Sequence, residues 1–90
     1  MKKCWTVHEI RRMLCTDPRW LTQAVLTVYR RSVTPGMQGF NEADSAMGMY
    51  VGRLLARGFS VTDLPACRLW AEFAMQRYVS LLTRIANGED

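Results

Sequence analysis

The pattern of apolar positions along this 90-residue chain predicts four helices and no strand. It is clearest from Asp63 to Ala86, where Leu64, Cys67, Ala71, Ala74, Tyr78, Leu81 and Ile85 recur at spacings of three and four. That spacing places them on one helical stripe. Trp70, Phe73, Val79 and Leu82 widen the stripe into a broad arc, one that other helices must cover. The cover comes from this chain or from a second copy, so a homodimer through the fourth helix is one expectation. Trp70 is expected to be buried, with a large cost for its truncation.

The preceding segments carry their own start and stop signals. Thr6-Val7-His8-Glu9 fits a capping box ahead of a first helix with Val7, Ile10 and Leu14 inward. Asp17-Pro18 opens the second, an N-cap followed by proline at the first helical position. Leu21, Ala24, Val25 and Val28 form its core face, flanked by Trp20 and Tyr29. Val33 to Gly39 is a loop, with Pro35-Gly36 as a turn and Gly39 as a second flexible point. Asn41 caps a third helix that Gly58 terminates. Ser60 to Asp63 is expected to begin the fourth helix, with Pro65 tolerated in its first turn.

The third helix carries two kinds of face. Ala43, Met47, Tyr50, Val51 and Leu54 read as core, whereas Ser45, Gly48, Gly52 and Ala56 form a face almost without side chains. A glycine inside a helix costs about 1 kcal/mol relative to alanine. Close approach of another helix backbone is the expected offset, and a groove for a partner's side chain is the alternative.

Composition narrows the chemistry. The length suits a single all-α domain, residues 1–90. No apolar run is long enough to span a bilayer, and Met1-Lys2-Lys3-Cys4 is not followed by an apolar signal segment. The protein is therefore expected in the cytoplasm, away from membranes, with Cys4, Cys15 and Cys67 reduced. Cys4, His8 and Cys15 fall short of the four ligands that structural zinc takes, so neither metal nor cofactor is expected. Glu9, Asp17, Glu42, Asp44 and Asp63 sit where helix dipoles favour carboxylates, leaving Glu72 alone in mid-helix. With no carboxylate pair and no phosphate loop, the sequence suggests no catalytic site.

The net charge of +4 comes from arginine. Codon usage in a GC-rich genome explains that as well as recognition of phosphates and carboxylates does. Arg30, Arg31, Arg53, Arg57 and Arg84 fall in last turns, where cations complement the dipole. Arg11, Arg12, Arg19, Arg68 and Arg77 have no such reason, although Arg68 can pair with Glu72. A DNA-reading helix-turn-helix is disfavoured, because the helix after the short turn is too apolar to lie in a groove. The candidate contact residues are Arg30, Arg31, Arg53, Arg57 and Arg77, with Met37 and Gln38 in the loop.

Several stretches resemble small helical proteins of unknown role carried by phages and conjugative elements. They are Gly39-Phe40-Asn41 with Asp44-Ser45, Arg57-Gly58, and Tyr78-Val79-Ser80-Leu81-Leu82 running to Ile85-Ala86-Asn87. Trp20-Leu21, Ala24-Val25-Leu26 and Tyr29 extend the likeness, while Phe59 and Pro65-Ala66 depart from it. The resemblance implies a compact helical fold and a mobile-element origin. By analogy of size and origin it implies a non-enzymatic, anti-CRISPR-like inhibitor of a host defence protein or nucleoprotein complex. The alternative is a basic helical nucleic-acid-binding or regulatory module.

Overall fold

The computed structural model describes residues 4–89, and among them there is no strand. The expected order of three helices and a long C-terminal helix is present. The helices are α1 (Val7–Thr16), α2 (Pro18–Ser32), α3 (Glu42–Ala56), α4 (Pro65–Ala74) and α5 (Val79–Ala86). The last two are halves of the long C-terminal helix, divided by a 3-10 turn at Met75–Tyr78.

The caps follow from the residues that form them. Thr6 and Glu9 close a reciprocal box, each side chain accepting the other's backbone N–H at 3.2 Å. Asp17 ends α1 and starts α2, its carboxylate accepting from Arg19 N at 2.9 Å and Trp20 N at 3.4 Å. Asn41 caps α3 by accepting from Asp44 N at 2.8 Å. The fourth helix starts later than Ser60–Asp63. Those residues close their own 3-10 turn, Val61–Asp63, with Ser60 N donating to Asp63 Oδ2 at 2.8 Å. Proline ring sterics push the preceding residue out of the helical region. Leu64 accordingly sits at φ −134° and ψ 80°, and α4 begins at Pro65.

One cluster of buried side chains joins the helices: Ile10 and Leu14 from α1, Val25 and Val28 from α2, Val51 and Leu55 from α3, with Ala71, Met75, Val79 and Leu82. The heptad seam of the long helix points into this cluster. Ala71, Ala74, Tyr78 and Leu81 are buried and Leu64, Cys67 and Ile85 partly so, and the chain itself provides their cover. The arc is narrower than its sequence suggests, because Phe73 is 76% exposed. The start and the finish of the described residues are clasped together. Trp5 N donates to Asn87 Oδ1 at 2.6 Å, Asn87 Nδ2 donates to Trp5 O at 2.9 Å, and the Trp5 ring tilts against Trp20.

The inward face of α3 is rotated from the expected one: Val51 is buried and Leu54 partly buried as expected, but Ser45 and Ala56 are exposed. Met47 and Tyr50 are exposed, as is Ala43, whereas Gly48, Val51, Gly52 and Leu55 face the core with Asp44. The glycines do mark a close approach, but it is to aromatic rings. A Cβ on Gly48 would stand 2.6 Å from the Phe40 ring, and one on Gly52 would stand 2.3 Å from the Tyr29 ring. Antiparallel α2 and α3 can thus lie close with Tyr29 between them. Phe40 then carries the aromatic packing onward, edge-on to Tyr78 at 5.7 Å and tilted against Trp70 at 6.1 Å.

Trp70 is half-buried, a correction to its expected full burial. Removing a fully buried tryptophan typically costs 3–5 kcal/mol, so Trp70→Ala is expected to cost about 2 kcal/mol. Urea unfolding of wild type and variant measures it, and a midpoint within error of wild type would show that the ring adds little to the core.

Candidate binding face

Sequence alone proposes five arginines and two loop residues, and the fold sorts the arginines into three groups. Arg31 is removed from the surface. It is 9% exposed, and its Nε donates to Gln38 O at 2.7 Å. That bond ties the end of α2 to the loop returning toward α3, so Arg31 is buried in the fold and does not share the exposure expected of it. Its geometry is local to the turn, but its sequence position matches that of any last-turn cation.

Arg77 is committed to Asp44. Its Nε donates to Asp44 Oδ2 at 3.1 Å, its Nη2 donates to Asp44 Oδ1, and its guanidinium lies 5.8 Å from the centre of the Phe73 ring. Tyr78 OH donates to Asp44 Oδ2 at 2.6 Å and accepts from Asn41 N at 3.0 Å. The Arg77 hydrogen bonds hold the Asp44 carboxyl below its ordinary pKa, outweighing the opposing effect of burial. Burial, and then the bond to Asp44, push the Tyr78 phenol up to about 12. At neutral pH the carboxylate is therefore charged and the phenol protonated. The group works as a lock between the start of α3 and the end of the Met75–Tyr78 turn. Sequence reading gave Asp44 the role of a first-turn acid and missed the lock, whose partners lie 33 and 34 positions away.

Arg30, Arg53 and Arg57 remain exposed. Tyr29 packs on Gly52, which sets the register between α2 and α3. Arg30 and Arg53 each follow one member of that pair. One step rotates a helical residue by about 100°, and in antiparallel helices the two rotations lead to the same side. Both guanidiniums therefore leave from one side of the α2–α3 pair at one level, and Arg57 stands one turn along α3 from Arg53. None of the three has an ion-pair partner among the described residues. At the other end of α2, Arg19 borders a depression of about 500 Å³ whose wall includes Gln23, Leu26 and Phe59.

The loop residues lie beside this face. Thr34 Oγ1 donates to Arg30 O at 2.7 Å, and Met37 N donates to Thr34 O at 3.3 Å, which folds the turn against the end of α2. Met37 is 45% exposed there. Gln38 is exposed as well, with its carbonyl held by Arg31. Sequence reading missed Arg19 as a neighbour of the face.

Elsewhere, Cys4 and Cys15 are exposed thiols, Cys67 is half-buried and His8 is exposed. Among the described residues no three acidic, histidine or cysteine side chains are grouped so as to hold a metal ion. No helix among them is long and apolar enough to cross a membrane. Arg68 Nε and Glu72 Oε1 form the expected pair at 2.8 Å. In comparisons with protein-family models, curated proteins and solved structures, nothing matches this chain.

Proposed function

We propose that this chain is a small non-enzymatic binding protein of phage or mobile-element origin. It acts in the cytoplasm by docking its α2–α3 face on a host defence protein or nucleoprotein complex and inhibiting it, in the manner of an anti-CRISPR protein. The observation that carries the reading is the placement of Arg30, Arg53 and Arg57 on one side of the α2–α3 pair, with no ion-pair partner among the described residues to give up. A guanidinium presents a planar fork of donors that matches carboxylates and phosphates, and arginine is enriched among the residues that dominate interface energies. Met37 and the Arg19–Phe59 depression add apolar area at the edges. The resemblance of Gly39 to Asn87 to mobile-element proteins supports the defence setting.

The same face favours a second reading, a nucleic-acid-binding module. Three unpaired cations on one side also suit a phosphate backbone, whose binding weakens linearly in log–log salt. Pulldown from bacterial lysate with and without nuclease separates the two. A defined protein partner that survives nuclease supports inhibition, whereas recovery of nucleic acid alone supports the rival. With either partner, the triple reversal Arg30→Glu, Arg53→Glu, Arg57→Glu is expected to lower affinity at least about 100-fold, since a single hot-spot arginine is worth about 2 kcal/mol. Capture unchanged by the triple reversal would reject this face.

A further inference from the structure

Among the described residues, the most exposed large apolar side chains are neighbours on α4. Leu69 is 70% exposed and Phe73 76%. Four positions apart, they stand on one face of the helix, away from the seam that enters the core. One residue before each, on the flank of that face, come Arg68 and Glu72, joined at 2.8 Å and still 41% and 34% exposed. The face thus has an apolar row, Leu69 then Phe73, beside a charged row, Arg68 then Glu72. The charged row sums to zero, and the guanidinium beside Phe73, that of Arg77, is already paired with Asp44.

We propose that a second copy of this chain covers this face, with the two α4 helices antiparallel about a two-fold axis. The charge order singles out that occupant. A two-fold axis normal to the plane of two antiparallel helices keeps each flank on its own side and reverses its direction. The row reading Arg68, Glu72 on one copy is then met by Glu72, Arg68 on the other, so each arginine gains the opposite copy's carboxylate. The same operation lays Leu69 of each copy against Phe73 of the other and buries both. Residue i meets residue j and j meets i, the self-complementarity that a two-fold contact demands. The interface is distinct from the heptad seam, which the chain fills from within, and it does not rest on the arginine face of α2 and α3.

A ten-residue helix against its copy falls below the usual size of a stable interface, so the expected dissociation constant is on the order of 10–100 μM. Sedimentation equilibrium of the full chain, from about 5 to about 500 μM, spans that range. The mass is expected to rise from 10.3 kDa toward twice that value. Phe73→Glu and Leu69→Glu should each hold it at the monomer, with an unchanged helical circular dichroism spectrum because both side chains are exposed. Arg68→Glu alone and Glu72→Arg alone should each weaken association about tenfold, and the double exchange should restore it, since it keeps opposite charges facing across the axis. A monomer mass at every concentration would overturn the proposal. So would a dimer indifferent to Phe73→Glu, or a double exchange no better than its single members.

Discussion

Asp44→Ala is expected to lower the free energy of unfolding by about 3 kcal/mol, the largest effect of any substitution at an ionisable residue of this chain. The carboxylate is 3% exposed and is the common acceptor for Arg77 and Tyr78. Alanine leaves the Tyr78 hydroxyl, itself buried, without its acceptor, and removes the only tie between Arg77 and the start of α3 among the described residues. Asp44→Asn keeps the shape but offers one acceptor oxygen and a donor group where two guanidinium nitrogens point, so it should recover less than half of the loss.

The same lock fixes the direction of a pH effect. The folded state holds the Asp44 pKa below its ordinary value of 3.8. A carboxyl depressed on folding stabilises fully above its unfolded pKa and loses that contribution as pH falls through the folded value. Urea unfolding at pH 7 and at successive steps below pH 4 should therefore show the wild type converging on Asp44→Asn as the acid range deepens. A constant gap between the two down to the lowest pH would mean that the charge on Asp44 does not hold the lock.

Local signals carried the helices, and long-range contacts carried what sequence reading missed. Thr6, Asp17-Pro18 and Asn41 act within three residues of themselves, so each cap is legible from neighbouring residues. The inward face of α3 is not. Hydrophobic patterning rewards large apolar side chains and so selects Met47 and Tyr50, yet the core side belongs to Gly48 and Gly52 because Phe40 and Tyr29 fill the space there. Proline chemistry at Pro65 was enough to end the Val61–Asp63 turn, but the pattern of the seam ran through Leu64 without a break. Among the candidate contacts, the exposed Arg30 and buried Arg31 are adjacent in sequence. They separate only when the chain turns back to place Gln38 O beside Arg31. The pairing of Arg30 with Arg53 needs the α2–α3 register, which depends on one ring against one glycine.

Gly39→Ala is expected to destabilise by about 3 kcal/mol, more than Gly36→Ala, although in sequence Gly39 reads only as a second flexible point of the loop. Gly36 has φ +80° and belongs to the Pro-Gly turn, but nothing lies within 4 Å of a Cβ placed there. Alanine at Gly36 therefore meets only the left-handed backbone penalty, about 1–2 kcal/mol. Gly39 is not among the glycines with positive φ, and its conformational freedom is not what the fold uses. A Cβ there would lie 2.4 Å from Ser32 Cα and 2.6 Å from Ser32 N. Those are backbone atoms in the last turn of α2, and they cannot swing aside as a side chain can. Relief requires moving the returning chain, which would pull Phe40 N from Ser32 Oγ at 2.7 Å and Gln38 O from Arg31 Nε at 2.7 Å. It would also shift Phe40 off Gly48, Trp70 and Tyr78. Urea midpoints of the two alanine variants decide the order. If Gly36→Ala proves the more damaging, the crossing of Gly39 over Ser32 is looser than described, and the docking of Phe40 has to be held by other contacts.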